Sequence, residues 1–109
     1  MTETVVVYIG RDNEYQWQLQ EDCENIDGDT VTRVVLDIPD HGSGVTLDSD
    51  DSPQMISIDS GGVVTATIGT EVDTEGFYDG FLTVYTNTET NGIAWDLINL
   101  EVKAWETGA

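Results

Sequence analysis

His41 is the only histidine in the chain and sits in the loop Pro39-Asp40-His41-Gly42-Ser43-Gly44, flanked by a carboxylate and a hydroxyl. Those residue types are the raw material of a nucleophilic triad, which works only when a third group holds the base at fixed geometry. Three residues this close on one glycine-rich loop rarely reach it, so His41 is expected to be a solvated turn residue. With one histidine and one cysteine, general acid–base chemistry would fall to pairs of carboxylates. Twenty-two Asp and Glu side chains are spread along the chain, and no pair is singled out for the defined separation that glycoside hydrolysis needs. The residues read as those of a protein that is not an enzyme.

Hard-cation chemistry has better material. Asp27 and Asp29 in Asp27-Gly28-Asp29, and Asp48, Asp50 and Asp51 in Asp48-Ser49-Asp50-Asp51, gather oxygen donors on loops, where calcium binds. Neither stretch has the spaced ligands and closing Glu of a twelve-residue EF-hand loop. These five are the candidate calcium ligands, weighed against turn residues that hold counter-ions loosely. No other cofactor is expected. Cys23, the lone cysteine, excludes an intrachain disulfide and a cysteine-based zinc site. It reads as a small packing or surface residue in a chain made in a reducing interior.

The elements that must carry these loops are strands. Alternation with period two runs through Thr4–Ile9, Tyr15–Gln20, Val31–Ile38, Gly44–Asp48, Gln54–Ile58, Val63–Ile68, Gly80–Asn87 and Gly92–Trp105, and no helical apolar stripe of eleven residues occurs. The expected inward rows are Tyr15, Trp17 and Leu19; Thr32, Val34, Leu36 and Ile38; Val64, Ala66 and Ile68; Leu82 and Val84; and Ile98, Leu100, Val102 and Ala104. A turn around Thr70–Gly76 is the one helix-like stretch. Asn91-Gly92 suits a tight hairpin, and Tyr78 beside Gly76 and Gly80 suits a tyrosine corner. Half-polar strands at this spacing predict an all-β, antiparallel, Ig-like β-sandwich of 7–8 strands. It fills one domain, residues 1–109, with a frayed end at 105–109. Hydrophobic residues make up 39% of the chain, enough for one two-layer core. Phe81 and Tyr85 are expected on the solvent side of one strand and Trp95 on the same side of the next. Such exposed aromatics mark a contact patch, which makes these three the candidate partner-binding residues.

A formal net charge of −19 sets the choice of partner. Nucleic acid is excluded because its binding rests on Lys and Arg neutralising phosphates, and an anionic membrane surface is excluded by the same sign. No run of about 18 apolar residues suits a membrane span, and Met1-Thr2-Glu3-Thr4 does not read as a secretory signal. A solvated acidic surface, adaptation to high salt and divalent-cation binding all remain open as sources of the acidity.

Tyr8-Ile9-Gly10-Arg11-Asp12 followed by the alternation at Tyr15–Leu19 resembles the "Y-x-G-D" opening of Ig-like β-sandwich domains in tailed-phage virion proteins. Ile26-Asp27-Gly28-Asp29-Thr30-Val31 through Leu36 is similar to their "D-L-T-G-a-x-V-x-x-x-L" segment, although Ile26 precedes Asp27 where that order is usually reversed. Gly62–Thr67, Gly76-Phe77-Tyr78 and Phe81-Leu82-Thr83-Val84 resemble the tail motif "G-x-V-T-V-x-L … G-x-Y-x-x-x-L-x-V". By these motifs the chain is also similar to the N-terminal domain of phage baseplate upper proteins. The resemblance implies a structural module of a phage or prophage particle, associated with head or tail and made in the host cytoplasm. It would bind other virion proteins or itself as a homo-oligomer, and it has no catalytic residues to carry over. The alternative from another class is an extracellular β-sandwich module that binds calcium or carbohydrate.

Overall fold

The computed structural model describes residues 3–11, 14–21, 24–51, 54–104. Among them are ten strands: β1 (Glu3–Tyr8), β2 (Glu14–Gln18), β3 (Gln20–Glu21), β4 (Glu24–Asn25), β5 (Val31–Ile38), β6 (Val45–Asp48), β7 (Ile56–Ile58), β8 (Val63–Thr67), β9 (Gly76–Thr86) and β10 (Ile93–Lys103). Asp12, Cys23, Trp105 and the end at 105–109 lie outside the described residues.

Two sheets face each other. The larger runs β1-β10-β9-β5-β6 and the smaller β2-β8-β7, with β3 and β4 forming a separate short hairpin. This is the Ig-like order. β10-β9-β5-β6 correspond to the sheet extended beyond three strands in variable-type domains, and β2-β8-β7 to its partner. The expectation of an Ig-like, all-β sandwich therefore holds. Two details differ: the strand count is ten among the described residues, and β1 pairs parallel to β10, from Glu3↔Ile98 to Tyr8↔Lys103. Every other pairing is antiparallel. Direction cannot be seen in alternation, because an edge strand with one apolar row looks the same either way. The 70–76 stretch is a turn without helix, and among the described residues the one helical piece is a 3-10 turn at Gly28–Thr30.

Alternation drives the packing. From the larger sheet Val7, Val34, Leu36, Ile38, Leu47, Leu82, Val84, Ile98, Leu100 and Val102 point inward and are buried. They meet Trp17, Leu19, Ile56, Val64, Ala66, Ile68 and Val72 from the other layer. Each valine, leucine or isoleucine among them contributes about 1.5–3 kcal/mol when taken out of water. Tyr78 packs against this core, and its hydroxyl donates to the carbonyl of Thr74 at 3.0 Å. That is the expected tyrosine corner, placed inside β9 because the strand begins earlier, at Gly76.

Two inward assignments fail, Thr32 at a bulge and Ala104 where β10 has ended. The register of β5 on β9 shifts between Val31 and Arg33, and that of β10 on β9 shifts between Ala94 and Asp96. An extra residue at each bulge flips the facing of everything beyond it. Thr32 is therefore exposed while Val31 packs on the core. Ala104, past the end of β10, is also exposed. The β9–β10 connection spans 87–92 rather than Asn91-Gly92 alone, with Gly92 at φ +86°.

Candidate functional site

The outer face of the larger sheet gathers the side chains that burial leaves out. On β9 the odd positions from Phe77 to Tyr85 face outward, because Leu82 and Val84 face in. Leu97 stands directly across from Phe81, and Asp37 flanks Phe81 on the other side. Phe77 is 79% exposed, Phe81 45% and Leu97 37%, the large hydrophobics most open to water among the described residues. All three lie on this face.

Tyr85 occupies the same face but is half-buried, with the Arg33 guanidinium 5.0 Å above its ring. Arg33 in turn donates from Nε to Asp48 Oδ1 at 2.8 Å and from Nη2 to Asp48 Oδ2, a two-pronged pairing that planar guanidinium favours. The hydrogen bonds from Arg33 hold the buried Asp48 carboxyl below the usual carboxylate range. A carboxyl depressed in the folded state stabilises the fold above its ordinary pKa, and that contribution fades as pH falls through the lower folded value. Asp48→Asn is therefore expected to lower the thermal midpoint at pH 7. The gap from the parent chain should close as the pH drops below about 4. A gap that stays constant in circular-dichroism melts at pH 7 and pH 3 contradicts the pairing.

Trp95 does not join the strip. It is the extra residue at the β10 bulge and has no cross-strand partner in the β9 register. Its side chain is half-buried against the core, near Ile93 and Val84. The expected trio is thus Phe81 and Tyr85 without Trp95, and the sequence reading missed Phe77 and Leu97. Their outward phase is legible only with the start of β9 at Gly76 and the register of β10 on it.

The aspartate clusters serve their own loops. Asp27 Oδ1 accepts the Asp29 N–H at 3.0 Å and caps the 3-10 turn, while Asp48 Oδ1 also accepts the Asp50 N–H at 3.0 Å. Among the described residues no group of three or more His, Cys, Asp or Glu is placed to hold a metal ion.

His41 is buried, not solvated. Its Nε2 accepts the backbone N–H groups of Asp73 (3.1 Å) and Thr74 (3.3 Å), and its ring meets the Tyr78 ring edge-on at 5.1 Å. It ties the β5–β6 loop to the tyrosine corner. With Nε2 occupied by two donors, the ring offers Ser43 no lone pair there. The chain matches no protein-family model, no curated protein and no solved structure.

Proposed function

We propose that the chain is a non-enzymatic assembly module of a phage or prophage particle, docking through the outer face of β5, β9 and β10 onto a second copy or another virion subunit. The observation that carries this reading is the coincidence of Phe77, Phe81 and Leu97 on one ordered sheet face of a chain with net charge −19. A solvated face has no use for two open phenylalanines, whereas a contact patch gains most from buried aromatics. Arg33 and Lys103, two of the chain's three Lys and Arg residues, lie on this face and offset Asp48 and Glu101 beside them, while Asp37 and Asp79 near Phe81 keep it acidic. The motif likeness to Ig-like virion domains supports the particle setting.

Apolar attraction between two such chains works against their mutual repulsion, so association strengthens as salt screens the charge. In sedimentation equilibrium the chain is expected to associate reversibly, more tightly in about 1 M salt, where the screening length is about 3 Å. Replacing both Phe77 and Phe81 by serine weakens that association about tenfold or more and leaves the melting curve nearly unchanged. A chain that stays monomeric in high salt at every concentration, or a double variant that associates as tightly as the parent, contradicts the reading.

A further inference from the structure

The end of the sandwich beneath the β9–β10 turn is open. A cleft of about 320 Å³ lies there, and the two bulges build it. Both flank the last residues of β9, one on each neighbouring strand, and bulges commonly re-aim side chains beside binding sites. Here they bring Val31, Ile93 and Trp95 round to join Val84 and Ile26 in an apolar wall. The same cleft is lined by Glu24, Asp27 and Glu89, and by no lysine or arginine. Glu89 is fixed in place by the hydroxyls of Thr86 and Thr88, which donate to Oε2 and hold its carboxyl below the usual range.

An indole and aliphatic wall with three carboxylates and no cation suits a ligand that is apolar along its length and positive at its tip. Trp is the strongest cation–π partner among side chains, and a lysine lays its four-carbon stem on apolar surface while its head seeks charge. The volume stands at the low end for ligand sites, room for one side chain rather than a run of sugar rings. A second copy docked symmetrically through this cleft would set the same carboxylates against each other. The chain's own lysine, Lys103, stands at the opposite end of β10 beside Glu101. Lys103 is also the chain's only lysine and is already paired with Glu101, so the occupant comes from a polypeptide of different sequence. We propose that this cleft binds a lysine side chain of a partner protein, its stem along Trp95, Ile93 and Val31 and its ammonium among Glu24, Asp27 and Glu89.

The test is a titration of the whole chain in about 0.15 M salt, followed by amide and indole NMR shifts. The probe is acetyl-Gly-Lys-Gly-amide, compared with the same peptide carrying norleucine. The expected result is a set of shifts centred on Trp95, Ile93 and Thr86, with the lysine peptide bound about fivefold more tightly than its neutral twin. Glu89→Gln, which keeps the side-chain shape, should weaken the lysine peptide about threefold. The Phe77→Ser/Phe81→Ser variant should bind it unchanged, which separates this site from the sheet face. Equal binding of the two peptides overturns the proposal. So do shifts spread evenly over acidic loops such as 48–51, which would report general attraction of cations. Maltose binding in the cleft without lysine binding would overturn it as well.

Discussion

Gly28→Ala is expected to destabilise the domain by about 3 kcal/mol or more, beyond the usual range for overpacking. Gly28 is buried at the start of the 3-10 turn, with its N–H donating to the carbonyl of Ser60 at 3.1 Å. A β-carbon there would lie 1.7 Å from the carbonyl oxygen of Asp59 and 3.2 Å from the backbone nitrogen of Gly62. The obstacles are backbone atoms, so no rotamer change relieves them. The β7–β8 turn would have to move away. That turn is itself fastened, since Asp59 Oδ1 accepts the N–H groups of Gly61 (2.9 Å) and Val63 (3.0 Å), and Gly62 offers its carbonyl to Leu19 N–H at 2.9 Å. Gly62 sits at φ +82°, and a β-carbon on it would come within 2.6 Å of the Ile26 carbonyl. The two glycines thus let two loops touch backbone to backbone at the end of the sandwich. Urea unfolding followed by tryptophan fluorescence reads the loss directly, and a change under about 1 kcal/mol would show that the loops separate at little cost.

Leu36→Ala is the second large effect, about 2–5 kcal/mol by the usual cost of a buried leucine truncation. Leu36 is fully buried in the middle of β5, paired with Leu82 of β9 and Leu47 of β6. Its Cδ1 reaches to within 3.2 Å of where a side chain on Gly80 would begin. Neighbours on both flanking strands are held in sheet hydrogen bonds, so the void cannot collapse easily. Leu97→Ala is the control: exposed on the outer face, it should change stability by no more than about 0.5 kcal/mol. A similar loss at both positions would mean that the inner and outer faces have been assigned wrongly.

The facing of most strands was legible because alternation is a local property of the chain. Val34, Leu36 and Ile38, Val64, Ala66 and Ile68, and Ile98, Leu100 and Val102 fall inward where period two puts them. So does Trp17, and the tyrosine corner at Tyr78 could be anticipated from its glycine neighbours. The failures share one physical origin, which is dependence on a distant segment. Thr32 and Trp95 are good strand formers, so nothing in their types marks a bulge; the misfit arises between strands. A miscount of one residue then moved Trp95 from interior to surface. His41 has the composition of a turn around it, yet its partners are backbone N–H groups more than thirty positions away. Phe77 escapes the alternation read over Gly80–Asn87 because β9 starts earlier, at Gly76. The candidate surface was thus half legible: Phe81 and Tyr85 from alternation, Phe77 and Leu97 only once strand limits and register were known.

Hydroxyl-radical footprinting, read residue by residue in dilute low-salt protein and in concentrated protein at high salt, is the most direct measurement. Phe77, Phe81 and Leu97 should lose reactivity together on association, while Trp95 keeps its own. Unchanged labelling of those three in an associated sample would mean that neighbours meet elsewhere, and the sheet face would have no part in assembly.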